Sequence, residues 1–236
     1  MDPLPRRLLF IASIGNKSPY HKTRHSAGHL LLDAVIPLLQ KHLPNTGLYH
    51  ETWHSTTWMN ESGPKLVRRL EDFAKERHSR LERIAALSAQ KNPEQDGDFA
   101  QLSKGLPTTL IILHDELENQ RGTLRVKAGG PEKASLRGHR GLISICETLR
   151  GKKLYPPRFN ANTGNAGRDA GPGVLGDLSI LRVGIGIGRP TSREKNAVSD
   201  YVLKNATEAE IESYRAMAGS VVDVIRDELY RPAGKV

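Results

Sequence analysis

Arg7-Leu8-Leu9-Phe10-Ile11-Ala12-Ser13 is an apolar run of the kind that forms a buried strand. It leads straight through Ile14-Gly15 into Asn16-Lys17-Ser18-Pro19-Tyr20-His21-Lys22-Thr23-Arg24-His25-Ser26-Ala27-Gly28. A strand, a Gly15-Asn16 turn and a histidine at the mouth of a helix place amide and titratable groups at a strand's C-terminal end. In α/β proteins that edge is where ligands sit. Leu110-Ile111-Ile112-Leu113-His114-Asp115-Glu116 repeats the design, an apolar strand ending in a carboxylate. The first block offers a base and the second offers something to orient it.

Around these blocks strands and helices alternate, which predicts an α/β fold: one globular domain over residues 1–236, with a twisted mixed β-sheet flanked by helices. Ala27, Leu30, Leu31, Ala34, Val35 and Leu38 follow helical spacing, and Pro37 is expected to kink or shorten that helix. Leu43 to Met59 holds one strand at most. Ser62 caps a helix with Pro64 in its first turn, and the helix runs into a charged stretch from Arg68 to Gln90. Further strands are expected at 108–113, 122–127 and 179–187. A helix with one apolar face follows Gly138, and Thr207-Glu208-Ala209-Glu210 is a capping box opening a C-terminal helix. Segments 68–104 and 160–176 read as insertions.

The 236 residues suffice for a sizeable core, and 37% hydrophobic with 26% charged residues fits a globular chain. No apolar run approaches the ~20 residues of a membrane span, so no membrane partner is expected. The few residues before the first strand leave little room for a targeting peptide. The lone Cys146 precludes an internal disulfide and suits a reducing compartment. Thirty-five Lys and Arg against 26 Asp and Glu give a net charge of +9, which favours a polyanionic partner, nucleic acid first.

For chemistry, a histidine hydrogen-bonded to a carboxylate is a general base with a fixed tautomer. His25 and Asp115 fit that description if the fold joins them. No Gly-x-Ser-x-Gly nucleophile elbow is present and Cys146 occupies a core position, so the base has water to activate. His21, His25 and His29 fall four apart, a metal-binding spacing, but no acidic residue completes a His-Glu-x-x-His pattern and no metal is expected. Gly184-Ile185-Gly186-Ile187-Gly188 lacks a phosphate-loop form and reads as a strand whose glycines let a neighbouring backbone approach closely. Arg125 and Lys127 alternate on one strand; with Arg137, Arg140 and Arg182 they form either a phosphate clamp or an ordinary solvated face.

Taken together, the blocks Ile14-Gly15-Asn16, Thr23 to Gly28, Thr56 to Gly63, His114 to Leu117, Lys127 to Gly130, Gly138 to Leu142, Gly186 to Pro190 and Asp200 to Leu203 resemble the bacterial-type peptidyl-tRNA hydrolases. Their order and rough spacing hold over about three quarters of the chain. The resemblance implies hydrolysis of the ester between a peptide and the 3′-terminal ribose of tRNA, in cytoplasm or mitochondrion. It implies His25 as general base oriented by Asp115. Asn60 is implied as a stabiliser of the developing oxyanion, and Asn16 and Tyr20 as substrate-side residues. Arg125, Lys127 and Arg182 are implied at tRNA phosphate, peptidyl-tRNA is the partner, no cofactor is used, and a monomer is the default.

The departures are specific. A His-Asn-Gly triplet of the family is His139-Arg140-Gly141 here, and a donor-only, permanently charged arginine cannot replace an amide that also accepts. Arg140 either grips a substrate phosphate or carbonyl, or obstructs the groove. The His-Asn-Ala-Gly form is His25-Ser26-Ala27-Gly28, and the proline usual after the turn asparagine is Lys17. The second reading is therefore a hydrolase-derived RNA-binding module, associated with ribosome or RNA processing, with a weakened site. A third is a metal-dependent hydrolase built on the three histidines.

Overall fold

The computed structural model of the chain describes residues 4–43, 47–91, 105–129, 139–155, 175 and 178–232. A strand covered on both faces needs apolar side chains at every position rather than every second one. β1 (Leu8–Ser13) and β3 (Thr108–Glu116) meet that condition, and Leu8 to Ala12 and Leu110 to Leu113 are fully buried. Both lie inside a five-stranded sheet of order β2-β1-β3-β5-β4, completed by β2 (His50–His54), β4 (Leu124–Ala128) and β5 (Ser179–Gly186). β2, β1, β3 and β5 run parallel, and β4 closes one edge antiparallel to β5. The mixed sheet read from the alternation of elements is the sheet that forms.

Alternation along β1 builds the layers. Phe10 points to α2 (Ser62–Lys91), where its ring lies 5.4 Å from that of Phe73. Ser13, three residues on and so on the other face, reaches Nδ1 of His29 in α1 (Ala27–His42) at 2.7 Å. α2 packs with α3 (Arg140–Gly151), while α1 packs with two C-terminal helices, Glu208–Ala216 and Ala218–Tyr230. A further helix, Lys195–Leu203, lies against the turn that carries His25. In chain order these last three are α4 (Lys195–Leu203), α5 (Glu208–Ala216) and α6 (Ala218–Tyr230).

The strand order itself locates a site. The chain leaves β1 toward β2 on one side, then returns across the sheet to β3 on the other. The crevice between the C-terminal ends of β1 and β3 is thus the point where the winding reverses, the usual ligand position in an open α/β sheet. Ser13 pairs with Leu113 in register, so the residues after Ser13 and those at 114–116 emerge side by side.

Several expectations are corrected in detail. Pro37 does not shorten α1, which runs on to His42; both Pro37 and Asp33, whose carbonyl loses a donor to it, sit on the exposed side. The charged stretch from Arg68 continues α2 to Lys91, with Leu70, Phe73, Ala74 and Leu81 buried beneath its charges. The C-terminal helix divides at Met217 into α5 and α6, although its apolar residues run through the break. The capping box at Thr207 and Glu210 is present in full. The remainder of the two expected insertions, 92–104, 160–174 and 176, lies outside the described residues, as do Arg137 and Gly138.

Close approach dictates glycine where helices meet. A Cβ on Gly63 would lie 2.2 Å from the carbonyl oxygen of Ser144 and 2.5 Å from Thr148 Oγ1, so α2 and α3 touch only because residue 63 has no side chain. Gly63→Ala should lower stability by about 1–3 kcal/mol in urea unfolding, the usual cost of overpacking. Unchanged stability would contradict this helix contact.

Candidate active site

Gly28 sets the distance between α1 and the strand ends. A Cβ there would come within 2.5 Å of the Leu113 carbonyl oxygen and 2.9 Å of that of Ile14. Glycine lets the start of α1 press onto the crevice, and the short helical turn Arg24–Ser26 ahead of it swings His25 over β3. Ser26 Oγ accepts from the Asn16 N–H at 3.0 Å and donates to the Tyr20 carbonyl at 2.9 Å, tying this turn to the loop after β1.

His25 and Asp115 are brought together. His25 Nδ1 lies 2.9 Å from both carboxylate oxygens of Asp115, which is 4% exposed. An ionised carboxylate only accepts, so Nδ1 carries the hydrogen and Nε2 keeps a lone pair. Asp115 has a second donor, His139 Nε2, at 3.1 Å from Oδ1. His139 is the N-cap of α3, and its Nδ1 accepts from the Leu142 N–H at 3.3 Å. Because Nδ1 accepts, Nε2 must be the protonated nitrogen. His114 completes the group: it donates from Nδ1 to the Asp115 carbonyl at 2.9 Å and packs edge-on against His139, ring centroids 5.1 Å apart.

The electrostatics follow from the geometry. Burial pushes the Asp115 carboxyl up, but the charges and N–H groups of His25 and His139 overcome it and hold the group well below the usual carboxylate range. Burial pushes His25 down, and the attraction and hydrogen bond of Asp115 outweigh that, leaving its pKa raised above 6.5. His114, buried and beside His139, is pushed down to about 3. His29, buried against Ser13 and near His54, is pushed down to about 4.

The other sequence candidates separate into three groups. Asn16 Oδ1 accepts from the Met59 N–H at 3.1 Å, so this amide fixes the short turn Met59–Glu61 and thereby the position of Asn60. Asn16, Asn60, Arg140, Lys127 and Arg182 line, with His25 and Asp115, one cleft of about 970 Å³. Tyr20 stands apart: it is exposed and stacks obliquely on Trp58, centroids 6.2 Å apart, away from the cleft lining. Lys127 Nζ is paired with Glu116 at 3.0 Å, and Arg182 is buried, its Nε donating to the Gly129 carbonyl at 3.0 Å. Arg125 is exposed on β4 outside the cleft lining, opposite Gly184. The residue that sequence reasoning missed as a site member is His139. The signal was there, one position before the Arg140 that drew attention.

The three evenly spaced histidines do not converge. His21 is exposed, His29 bonds Ser13, and His25 bonds Asp115. Among the described residues, the group close enough to hold a metal is His25, Asp115 and His139. Its donor set fits a metal poorly. With Nδ1 of His139 already accepting from a backbone N–H, a metal on Nε2 would require an imidazolate or the loss of the α3 cap.

Comparison with known proteins bears on this geometry. No family model matches the chain. A probable peptidyl-tRNA hydrolase of Schizosaccharomyces pombe is 29% identical over 196 residues, 82% of this chain and 69% of that protein. The peptidyl-tRNA hydrolases of Geobacter metallireducens and Azotobacter vinelandii are 26% and 28% identical, covering 91% and 93% of this chain and 85% and 89% of theirs. Over most of its length the chain is thus similar to peptidyl-tRNA hydrolases. Crystal structures of the Acinetobacter baumannii peptidyl-tRNA hydrolase superpose with TM-scores of 0.50 and 0.51 at 22% identity, over 97% of this chain and 91% of theirs, which shows a shared fold. Among the described residues no helix is long and apolar enough to cross a membrane.

Two pH dependences follow. His25 should titrate with a midpoint above 6.5 by NMR, and Asp115→Asn should lower it, since the carboxylate is what raises it; an unmoved midpoint would contradict the pairing. For stability the signs oppose. The stabilisation from His25 is full below 6.5 and is lost as pH rises through its folded pKa. His29 and His114 are buried neutral, so below 6.5 the unfolded chain takes up protons that the folded one refuses until about 4 and about 3. Stability should fall as pH drops from 6.5 toward 4, and His29→Asn should flatten that slope in urea midpoints measured across the range.

Proposed function

We propose that the chain hydrolyses the ester joining a peptide to the 3′-terminal ribose of peptidyl-tRNA, with His25 as general base. The observation that carries the reading is the His25–Asp115 pair, Nδ1 held at 2.9 Å by a buried carboxylate, inside a cleft that also holds Asn16, Asn60 and cationic side chains. The naming of its homologues as peptidyl-tRNA hydrolases supports the same activity.

In this mechanism His25 Nε2 takes a proton from water, and the water oxygen adds to the ester carbonyl carbon. Asp115 stabilises the imidazolium that forms and holds its orientation. Asn60, placed by the Asn16–Met59 bond, donates to the carbonyl oxygen as it gains charge. The tetrahedral intermediate collapses by breaking the bond to the ribose oxygen, which takes the proton back from His25. The products are a free 3′-hydroxyl and the peptide's carboxylic acid, which gives its remaining proton to solvent and leaves as the carboxylate.

Cleft cations serve the tRNA side. Lys127 and Arg182 face each other in register across β4 and β5, and Arg125 extends the basic strand outward. Such contacts give salt-dependent affinity without sequence preference. Arg140 has no ion-pair partner among the described residues and lines the cleft at the start of α3, which supports its taking a phosphate of the acceptor end. The enzyme acts as a monomer wherever translation runs, cytosol or mitochondrion, and segments 68–104 and 160–176 are elaborations of one domain. Arg140 is also the observation that favours the second reading, an RNA-binding module in which that guanidinium fills the groove and turnover is lost.

Release of peptide from a defined peptidyl-tRNA separates the readings. Wild type should turn over, unaffected by chelator, and His25→Ala should lose about 10²–10⁴-fold. Tight tRNA binding without turnover would sink the hydrolase reading. Arg140→Asn should weaken tRNA binding and flatten its salt dependence by about one phosphate contact. A rate increase instead would mark Arg140 as an obstruction.

A further inference from the structure

Directly behind His25 lies an ionic cluster that the hydrolytic step does not touch. Arg24, the residue before the base, is 6% exposed, and its guanidinium makes a two-pronged contact with Glu210: Nε to Oε1 at 2.8 Å and Nη2 to Oε2 at 3.1 Å. Glu210 is 7% exposed and belongs to the first turn of α5, where its Oε2 also accepts the Thr207 N–H at 2.8 Å. Arg24 Nη1 donates to the Tyr201 carbonyl at 3.2 Å, and its guanidinium lies 4.5 Å from the centroid of the Tyr201 ring. Arg121 approaches the same ring at 5.8 Å and donates to the Tyr201 hydroxyl at 2.9 Å; that hydroxyl donates to the Ile187 carbonyl at 2.6 Å.

The backbone is fastened at the same place. Arg24 N–H donates to the Lys204 carbonyl at 3.1 Å, Ala206 N–H to the Lys22 carbonyl at 2.9 Å, and Thr23 bridges Asn205. The segment just before His25 is therefore clamped to the junction between α4 and α5. α4 also forms a wall of the catalytic cleft through Val198, Val202 and Leu203. One network thus fixes both the base and the wall facing it.

A purely stabilising role explains this poorly. A buried ion pair recovers little more than its own desolvation cost and is often matched by apolar packing, so its value lies in the geometry it enforces. The planar guanidinium fork enforces a great deal, since two parallel bonds and a stacked ring leave Arg24 one orientation. We infer that Arg24, Glu210 and Tyr201 are positioning residues for the proposed hydrolysis, holding His25 at the angle from which Nδ1 meets both oxygens of Asp115. The inference rests on the reading of His25 as the base.

Comparison of Glu210→Gln with Thr207→Ala tests it. Thr207→Ala removes the hydroxyl that accepts the Glu210 N–H and donates to Oε2 at 3.2 Å, but leaves both Arg24–Glu210 bonds and the backbone N–H of residue 207 on Oε2, so it should lower Tm while kcat stays within about twofold of wild type. Glu210→Gln should lower kcat by about 10-fold or more, with KM little changed, the order expected when a reacting group is misplaced by under 1 Å. Should Glu210→Gln fail to fold, Tyr201→Phe keeps the ring under Arg24 but loses its hydroxyl bonds, and should lower kcat in the same manner without unpairing a buried charge. The His25 titration gives a readout that needs no turnover. Its midpoint should fall toward 6.5 in Glu210→Gln, as the bond to Asp115 loosens, and stay at the wild-type value in Thr207→Ala. Equal effects of the two variants on kcat, or an unmoved midpoint in Glu210→Gln, would overturn the positioning role. A wild type that shows the titration shifts but releases no peptide would instead overturn the hydrolase reading alone.

Discussion

The carboxylate of Asp115 is the point on which the rest of the site depends. It is buried at the end of β3, and a buried charge survives only when its lone pairs are met. Two histidines meet them, His25 from the loop after β1 and His139 from the cap of α3. Each satisfies the charge and is in turn fixed by it. His25 is left with its free nitrogen available, the state a general base needs. His139 spends its other nitrogen on the Leu142 N–H, so the helix α3 and the carboxylate are parts of one hydrogen-bonded chain.

That chain is possible because of where the sheet reverses its winding. The residues after β1 and at the end of β3 emerge side by side at the crevice, and Gly28 lets α1 sit hard against the Leu113 carbonyl. The histidine's supporting turn is then bolted from behind by Arg24 and from the side by Ser26. Packing, register and hydrogen bonding act on the same few residues, which is the consistency expected of a sequence that specifies one site.

Much of this was legible in the chain. The unbroken apolar runs of β1 and β3 allow only strands covered on both faces. The glycines of β5 read correctly as room for a neighbouring backbone at Gly186, where a Cβ would collide with the Gln120 carbonyl oxygen, while at Gly184 the neighbour is the Glu116 side chain. His25 and Asp115 were legible as a pair by their matching places at strand ends. His139 was not, because its role depends on which residue caps α3, and a histidine cap leaves a weaker trace than serine or aspartate. Arg24 is hidden for a similar reason: its partner Glu210 lies at the other end of the chain, where the capping box by itself accounts for a glutamate. Pro37 misled because the rule for proline inside a helix weighs the lost hydrogen bond, which is inexpensive where the orphaned carbonyl faces solvent.

The central claim, that one buried carboxylate orders two histidine tautomers, is tested most directly by the ¹⁵N chemical shifts of the histidine rings at a pH above the His25 midpoint, where the ring is neutral. The account predicts the Nδ1–H form for His25 and the Nε2–H form for His139, with both assignments lost in Asp115→Asn. Finding His25 as Nε2–H, or either ring averaging between its tautomers in the wild type, would contradict it.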